Sequence, residues 1–483
     1  MLLSATPLPF FEPDNYEYLL FVNLVLQRHN LSVSNPFLIY QRQGFFEHPG
    51  LYLLPSFFAL LFHANAVLAM HAIYSIFLVL QDLLLLIIVY LILKDLSIER
   101  WKKYFVYGFV LLNPLLLPYN YPIEWRGTLF ASVSELLLLL LFYLALGGSK
   151  KKKILAVVGG IIVSAYSIWM WSGGIAAPMA MAIALAFYFL YNKKPLLASR
   201  ISLLIAGLFV VLPFFPQVVS IFTSPFGKGY DSNPMQIGEL QSLSQTLTVF
   251  YVVFALFFVI IAIVLALMTN LYLSKKAQQF LFLLIWLLFA QIPLAIVYFR
   301  LISLVAPYLA ILYALGIVLL FSFAKPREFI IFVLFAIILF ASLMNYLQAY
   351  QIIFAEYRAY NPIGLYLAAQ YLAQNYPNST VFAFYGYGGV LEAYGHVRVY
   401  SDTVQELGYA NLSLILCENA SQAYSHLAQL KPKPQLLLAS PQLLGYSIFQ
   451  NCSKNSILLA NRVAYLKQIY QKNNFSIYEV NED

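Results

Sequence analysis

Residues 69–93, AMHAIYSIFLVLQDLLLLIIVYLIL, decide the class of this chain. About 20 consecutive apolar residues are enough for a helix to cross the hydrocarbon of a bilayer. This run is longer than that, and His71 and Asp82 are its only acidic or basic side chains. Runs of similar character fall at 104–120, 128–147, 154–171, 174–191, 200–216, 247–272, 278–296, 301–323 and 328–347. The composition agrees: 62% of the 483 residues are hydrophobic and 10% are charged, against nearer half and a quarter in soluble domains. The reading is a polytopic α-helical membrane protein of about ten transmembrane helices over 1–347, followed by a soluble α/β domain over 348–483.

The net charge of +8 does not point to nucleic acid. After residue 347, eight Lys/Arg balance eight Asp/Glu, so the excess sits in the membrane half. There it alternates between loops. Lys94 to Lys103, Lys150–Lys153, Lys193/Lys194/Arg200, Lys275/Lys276 and Lys325/Arg327 hold 15 basic residues. The opposite side holds five: Arg28, Arg42, Arg126, Lys228 and Arg300. The positive-inside rule puts the first set in the cytoplasm. Ten spans then leave two external loops, near 1–68 and 217–246, and the C-terminal domain outside a multi-pass cell-membrane protein. The sequons Asn30, Asn378, Asn411, Asn419, Asn451 and Asn474 all lie in segments placed outside. An outside N-terminus requires an earlier signal or span, and MLLSATPLPFF is too short to be either. The expectation is a missing first span, the alternative being that Leu51 to Ala66 crosses.

In the C-terminal part, helix-like stretches (361–376, 419–430, 455–470) alternate with short strands in TVFAFYG, VRVYS, PQLLLAS and FSIYEV. Cys417 and Cys452 are the only cysteines. They form a disulfide if this domain meets an oxidising exterior, and two buried thiols otherwise.

Ionisable groups near a membrane face are informative because burying one in hydrocarbon costs about 2.5–3.5 kcal/mol. Four candidates share the outer side. Asp14 opens an amphipathic stretch in FFEPDNYEYLLF; Glu124 and Arg126 occupy the loop PYNYPIEWRG, with Glu135 just inside the next span; Glu239 lies in the loop around IGELQSLS; Arg300 starts the span FRLISLVAPYLAILYALG. Each alone reads as an interfacial anchor. Together they offer oxygen ligands for a divalent cation and a guanidinium for a phosphate. Asp82, mid-span beside Gln81, reads instead as a helix–helix hydrogen bond.

These motifs resemble those of GT-C membrane glycosyltransferases, and more closely the catalytic subunit of oligosaccharyltransferase, including its archaeal single-subunit form. EPDNYEYL is similar to the first-loop acidic motif, which makes Asp14 the counterpart of the metal-binding, catalytic aspartate. IGELQSLS is similar to the external-loop motif, so Glu239 corresponds to the glutamate that engages metal and acceptor amide. FRLISLVAPYLAILYALG resembles the Arg-containing span, giving Arg300 to the lipid diphosphate, with Arg126 as a second phosphate-binding Arg and Glu135 as the last acid of the second metal motif. FAFYGYGG resembles the region of the WWDYG signature, with Tyr385, Gly386 and Tyr387 matching its Tyr-Gly-Tyr end as acceptor-binding residues. Phe382, Ala383 and Phe384 stand where the Trp-Trp-Asp element would recognise the sequon hydroxyl, and no second Ser/Thr-pocket motif follows LLLAS.

The resemblance implies an inverting transferase using Mg2+ or Mn2+. It would move a glycan from a polyprenyl or dolichyl (di)phosphate carrier to a protein asparagine. Two other readings stand beside it. One is a GT-C transferase that passes a monosaccharide from polyprenyl phosphate to a lipid or glycan acceptor. The other is a non-enzyme, a degenerate paralogue or a transporter, although the inverted repeats of transporters do not stand out.

Overall fold

The structure is a computed structural model. It describes residues 14–29, 36–39, 49–94, 99–112, 127–146, 148–170, 172–193, 362–400, 407–445 and 466–480, with scattered positions over 279–311 and 449–458. The N-terminal part is helical: α1 (Asp14–Arg28), α2 (Pro49–Phe62), α3 (Ala66–Leu93), α4 (Arg100–Leu112), α5 (Gly127–Ala145), α6 (Lys150–Met170) and α7 (Ala176–Lys193). These match five expected spans in place. Among the described residues, α3 and α6 are long and apolar enough to cross a membrane. The expected spans at 200–216, 247–272 and 328–347 lie outside the described residues, as do most of those at 278–296 and 301–323. The count of about ten is therefore a reading of the sequence. With 14 residues, α2 rises about 21 Å at 1.5 Å per residue, less than the ~30 Å of hydrocarbon.

The helices are apolar on the outside as well as inside, as lipid solvation requires. On α3, Ile76, Val79, Leu83, Ile87 and Tyr90 form an exposed stripe at helical spacing, while Ile73, Leu84, Leu85, Ile88 and Val89 are buried against neighbours. On α6, Ile154, Leu155, Val157, Val158, Ile161 and Ile162 are all exposed. Gly159 lets α6 approach α5, since a Cβ there would lie 3.2 Å from Leu141. The Lys94 ammonium, one residue past α3, sits 5.4 Å from the Tyr143 ring centroid, where a charge can leave the hydrocarbon while its stem stays apolar. Within the bundle, Gln81 Nε2 donates to Ser132 Oγ at 2.8 Å, joining α3 to α5. This corrects the reading of Asp82. The helix–helix bond belongs to Gln81, one residue earlier and about 100° round the helix, and Asp82 is exposed on the apolar stripe.

The C-terminal part is α/β, as expected. Helix α8 (Pro362–Asn375) precedes β1 (Thr380–Phe382), β2 (Arg398–Val399), α9 (Ala420–Gln429), β3 (Leu436–Ala439), β4 (Leu466–Lys472) and β5 (Phe475–Val480). The sheet order is β2-β1-β3-β5-β4. β1 runs parallel to β2 and β3, whereas β3–β5 and β4–β5 are antiparallel. Every residue of β3, at the centre, is buried. Helix α8 buries Leu365, Ala368, Ala369 and Leu372, one face at i, i+3, i+4, i+7. Cys417 and Cys452 form a disulfide, Cα–Cα 4.5 Å.

One expectation fails here. The stretch 455–470 reads as helical, yet its end enters β4. Phe475 pairs with Lys472, and the two residues between them, Asn473 and Asn474, take φ of 50° and 66°. Two left-handed residues in a two-residue loop make the hairpin turn whose twist matches antiparallel strands, and that local geometry overrides the helical spacing.

The two parts are joined through the sheet. Residues 37–39 add to β2 as a parallel edge: Leu38 pairs with Val399, Ile39 N donates to Val399 O at 2.9 Å and Val399 N donates to Phe37 O at 2.8 Å.

Candidate active site

Helix α1 runs from Asp14 to Arg28. The helix is buried on nearly all sides, with Tyr16, Tyr18, Leu19, Leu20, Phe21, Val22, Leu24 and Val25 all in the core. It packs on α2, on α3 and on the helical turns 388–395 of the C-terminal domain. Tyr16 meets Tyr394 edge-on at 6.0 Å, and Tyr394 meets Tyr366 at 5.3 Å. Burial, and then the neighbouring Tyr366, push the Tyr394 hydroxyl up to about 12.

This junction concentrates polar groups. Asn15 and Glu17 on α1 and Glu392 in the facing turn are all fully buried. Both polar atoms of Asn15 lack a hydrogen-bond partner among the described residues, although such groups are nearly always paired in proteins. The sequence flagged Asp14 and passed over these three. Asn15 and Glu17 lie inside the quoted motif, but the burial of Glu392 depends on a contact across more than 370 residues of chain.

A second polar cluster lies inside the bundle around Glu135. Its carboxylate is fully buried, Oε1 accepts from Gln291 Nε2, and the Tyr308 hydroxyl faces the same carboxylate. Oε2 has no hydrogen-bond partner among the described residues. Gln291 was legible as the lone amide in the apolar run FLFLLIWLLFAQIP; Tyr308 resembles any other aromatic of its span.

The FAFYGYGG segment forms a short 3-10 turn, Tyr385–Tyr387, just after β1. A Cβ on Gly386 would stand 2.6 Å from the Phe384 ring, so this position takes glycine unless the ring moves. Phe384 packs on Tyr385, Tyr387 and Phe449. Tyr387 is fully buried and packs on Phe475, whereas Tyr385 is part-exposed. The buried Ser413 accepts the Tyr385 backbone N–H at 3.0 Å, a contact the sequence did not reveal.

Of the predicted site residues, Asp14 is placed by its backbone, and Glu135, Tyr385, Gly386 and Tyr387 by their surroundings. Glu124, Arg126, Glu239 and Arg300 lie outside the described residues. Among the described residues, no three His, Cys, Asp or Glu side chains come together.

No family model matches the chain, and no curated protein matches it in sequence. Solved structures do match its fold. The archaeal oligosaccharyltransferase AglB from Archaeoglobus fulgidus, in complex with an inhibitory peptide and a dolichol-phosphate, aligns over 97% of this chain and 70% of its own, with TM-score 0.60 and 14% identity. The same enzyme tethered to an acceptor peptide containing the NVT sequon aligns over 99% and 71%, with TM-score 0.62 and 14% identity. ArnT from Cupriavidus metallidurans bound to undecaprenyl phosphate aligns over 97% and 94%, with TM-score 0.51 and 14% identity. The chain is thus a membrane protein with a divergent GT-C fold, similar to that of oligosaccharyltransferase.

Proposed function

We propose that this protein is a membrane glycosyltransferase that moves a glycan from a polyprenyl or dolichyl (di)phosphate carrier to an acceptor on the outer side of the membrane. The observation that carries the proposal is the junction of α1 with the C-terminal domain. There a GT-C fold buries polar side chains beside Asp14, and the Asn15 carboxamide has no partner among the described residues. Groups so placed are costly unless a polar ligand meets them.

Asp14 and Glu239 are the catalytic pair, engaging the acceptor nucleophile; a positioned base contributes about 10²–10⁴-fold. Arg300 and Arg126 hold the lipid phosphate oxygens as bidentate donors. Asp14, Glu239 and Glu135 are hard oxygen donors of the kind Mg2+ or Mn2+ takes and would hold the cation; Gln291 orients the Glu135 carboxylate through Oε1, and Oε2 has no hydrogen-bond partner among the described residues. When bound, such a cation would supply charge neutralisation to the departing phosphate. Tyr385, part-exposed, faces the acceptor; Gly386 and the buried Tyr387 shape the turn behind it. With Phe382, Ala383 and Phe384 in place of an acid, Ser and Thr two residues past the acceptor asparagine are distinguished weakly from Ala.

The second reading is transfer of a monosaccharide from polyprenyl phosphate to a lipid or glycan acceptor. The fold likeness to ArnT bound to undecaprenyl phosphate supports it, as does the lack of an acid at Phe382, Ala383 and Phe384.

The test is transfer by purified full-length protein, offered diphosphate-linked oligosaccharide with an Asn-X-Thr peptide, or monophosphate-linked sugar with a lipid acceptor. Asp14→Asn and Glu239→Gln should each lower transfer at least about 100-fold, roughly 2.7 kcal/mol of transition-state stabilisation. Full activity in both variants would overturn the assignment. Mn2+ binding to the full-length protein, read by spectroscopy without any substrate, should weaken in Glu135→Gln.

A further inference from the structure

Asparagine occurs eleven times up to residue 347 and eleven times after it, yet Asn-X-Ser/Thr occurs once in the first part and five times in the second. Chance pairing at the composition of the second part would give about one. Three of those five asparagines have described side chains, and the fold treats them differently. Asn419 turns its Oδ1 back to the Ser421 N–H and hydroxyl, both at 3.3 Å, and caps α9. Asn378 and Asn474 do neither. Asn378 (φ 62°) stands in the turn between α8 and β1, and Asn474 (φ 66°) at the tip of the β4–β5 hairpin. Both side chains are exposed. The backbone at each is fixed by its neighbours, through Asn378 N donating to His396 O at 2.9 Å and through the Lys472–Phe475 pair. A bulky group on either amide therefore projects outward and displaces nothing in the core.

We infer that the C-terminal domain is itself N-glycosylated, at Asn378 and Asn474. The donor class is a lipid-(di)phosphate-linked glycan. The Asn Nδ2 forms the new bond to the anomeric carbon, the bond from that carbon to the phosphate oxygen breaks, and the lipid (di)phosphate leaves with the electron pair as the amide gives up one proton. In the finished fold Thr380 is buried in β1, and Ser476 Oγ accepts from Gln468 across the hairpin at 3.3 Å. Both sequon hydroxyls are thus read before the sheet closes, while the segments are still extended. The inference does not depend on the chain's own activity.

Glycopeptide mass spectrometry of the full-length protein from its own membranes should find glycan on Asn378 and on Asn474. Translation of the full chain into microsomes, whose lumenal transferase modifies exposed sequons, should give a glycosidase-sensitive gel shift. That shift should lose one step in Asn378→Gln and another in Asn474→Gln. Bare Asn378 and Asn474 in the native protein overturn the inference whatever the microsomes show. A microsomal shift that survives the double variant overturns the choice of these two positions.

Discussion

The bond from the Tyr385 backbone to Ser413 offers a direct test of how the acceptor turn is held. Ser413 is 1% exposed and its Oγ takes the Tyr385 N–H at 3.0 Å. Ser413→Ala removes the acceptor oxygen. A buried donor without a partner costs about 1–3 kcal/mol. Because Tyr385 itself is only part-buried, the lower half of that range applies, about 1–2 kcal/mol. The cost falls on the turn proposed to show Tyr385 to the acceptor, so on that proposal acceptor KM should rise about 5- to 30-fold, with kcat for saturating acceptor little changed. Acceptor titration at saturating lipid donor reads this split. Ser413→Thr keeps the hydroxyl and should restore KM. The substitution also destroys the sequon at Asn411, so Asn411→Gln, which removes the same sequon and keeps the hydroxyl, is the control and should behave as wild type. An acceptor KM within twofold of wild type in Ser413→Ala would refute the reasoning, either because the bond does not hold the turn or because the turn does not meet the acceptor.

Two further outcomes are expected. The Cys417–Cys452 bridge closes a sequence separation of 35, which by loop-closure entropy stabilises the C-terminal domain by about 3–4 kcal/mol; replacing both cysteines with Ala should lower its melting midpoint in non-reducing detergent solution, and an unchanged midpoint would count against the bridge. In the bundle, Gln81→Leu should destabilise by about 0.6–1.7 kcal/mol through loss of the Ser132 bond, while Asp82→Leu should leave stability equal or higher, because an exposed carboxylate on a lipid-facing stripe carries an insertion cost of about 2.5–3.5 kcal/mol. Equal destabilisation by both would show that Asp82 has a partner in the membrane.

What could be read from the sequence followed from short-range rules. The apolar runs gave α3, α5, α6 and α7 to within about four residues at each end, and short apolar and aromatic runs gave β1, β2, β3 and β5. Strand β4 was lost because LKQIYQK carries no strong alternation and lies at the sheet edge, where polar side chains on both faces are tolerated. Asp82 was misread because hydropathy gives the depth of a residue but not its azimuth. One helical step separates the amide that bonds Ser132 from the carboxylate that meets the apolar stripe. The site divides in the same way. Asp14 and the Tyr385–Gly386–Tyr387 turn stood out as local motifs, whereas Glu392, Ser413 and Gln291 matter through partners 28 or more residues distant in sequence, and no local pattern marks such pairs.

The strand addition of residues 37–39 to β2 has a consequence for how the protein is made. Val399 receives its edge partner from a segment synthesised some 360 residues earlier, and helices α2 to α7 are made between the two events. At about 5–20 residues per second, residues 37–39 wait tens of seconds with the backbone groups of Phe37 and Ile39 not yet matched to Val399. Non-local pairing of this kind is slow and leaves strand edges open to wrong partners. Biogenesis of this protein therefore has a long vulnerable interval that ends only when its C-terminal domain emerges, and a ribosome stalled before residue 399 would leave behind a bundle with its first loop undocked.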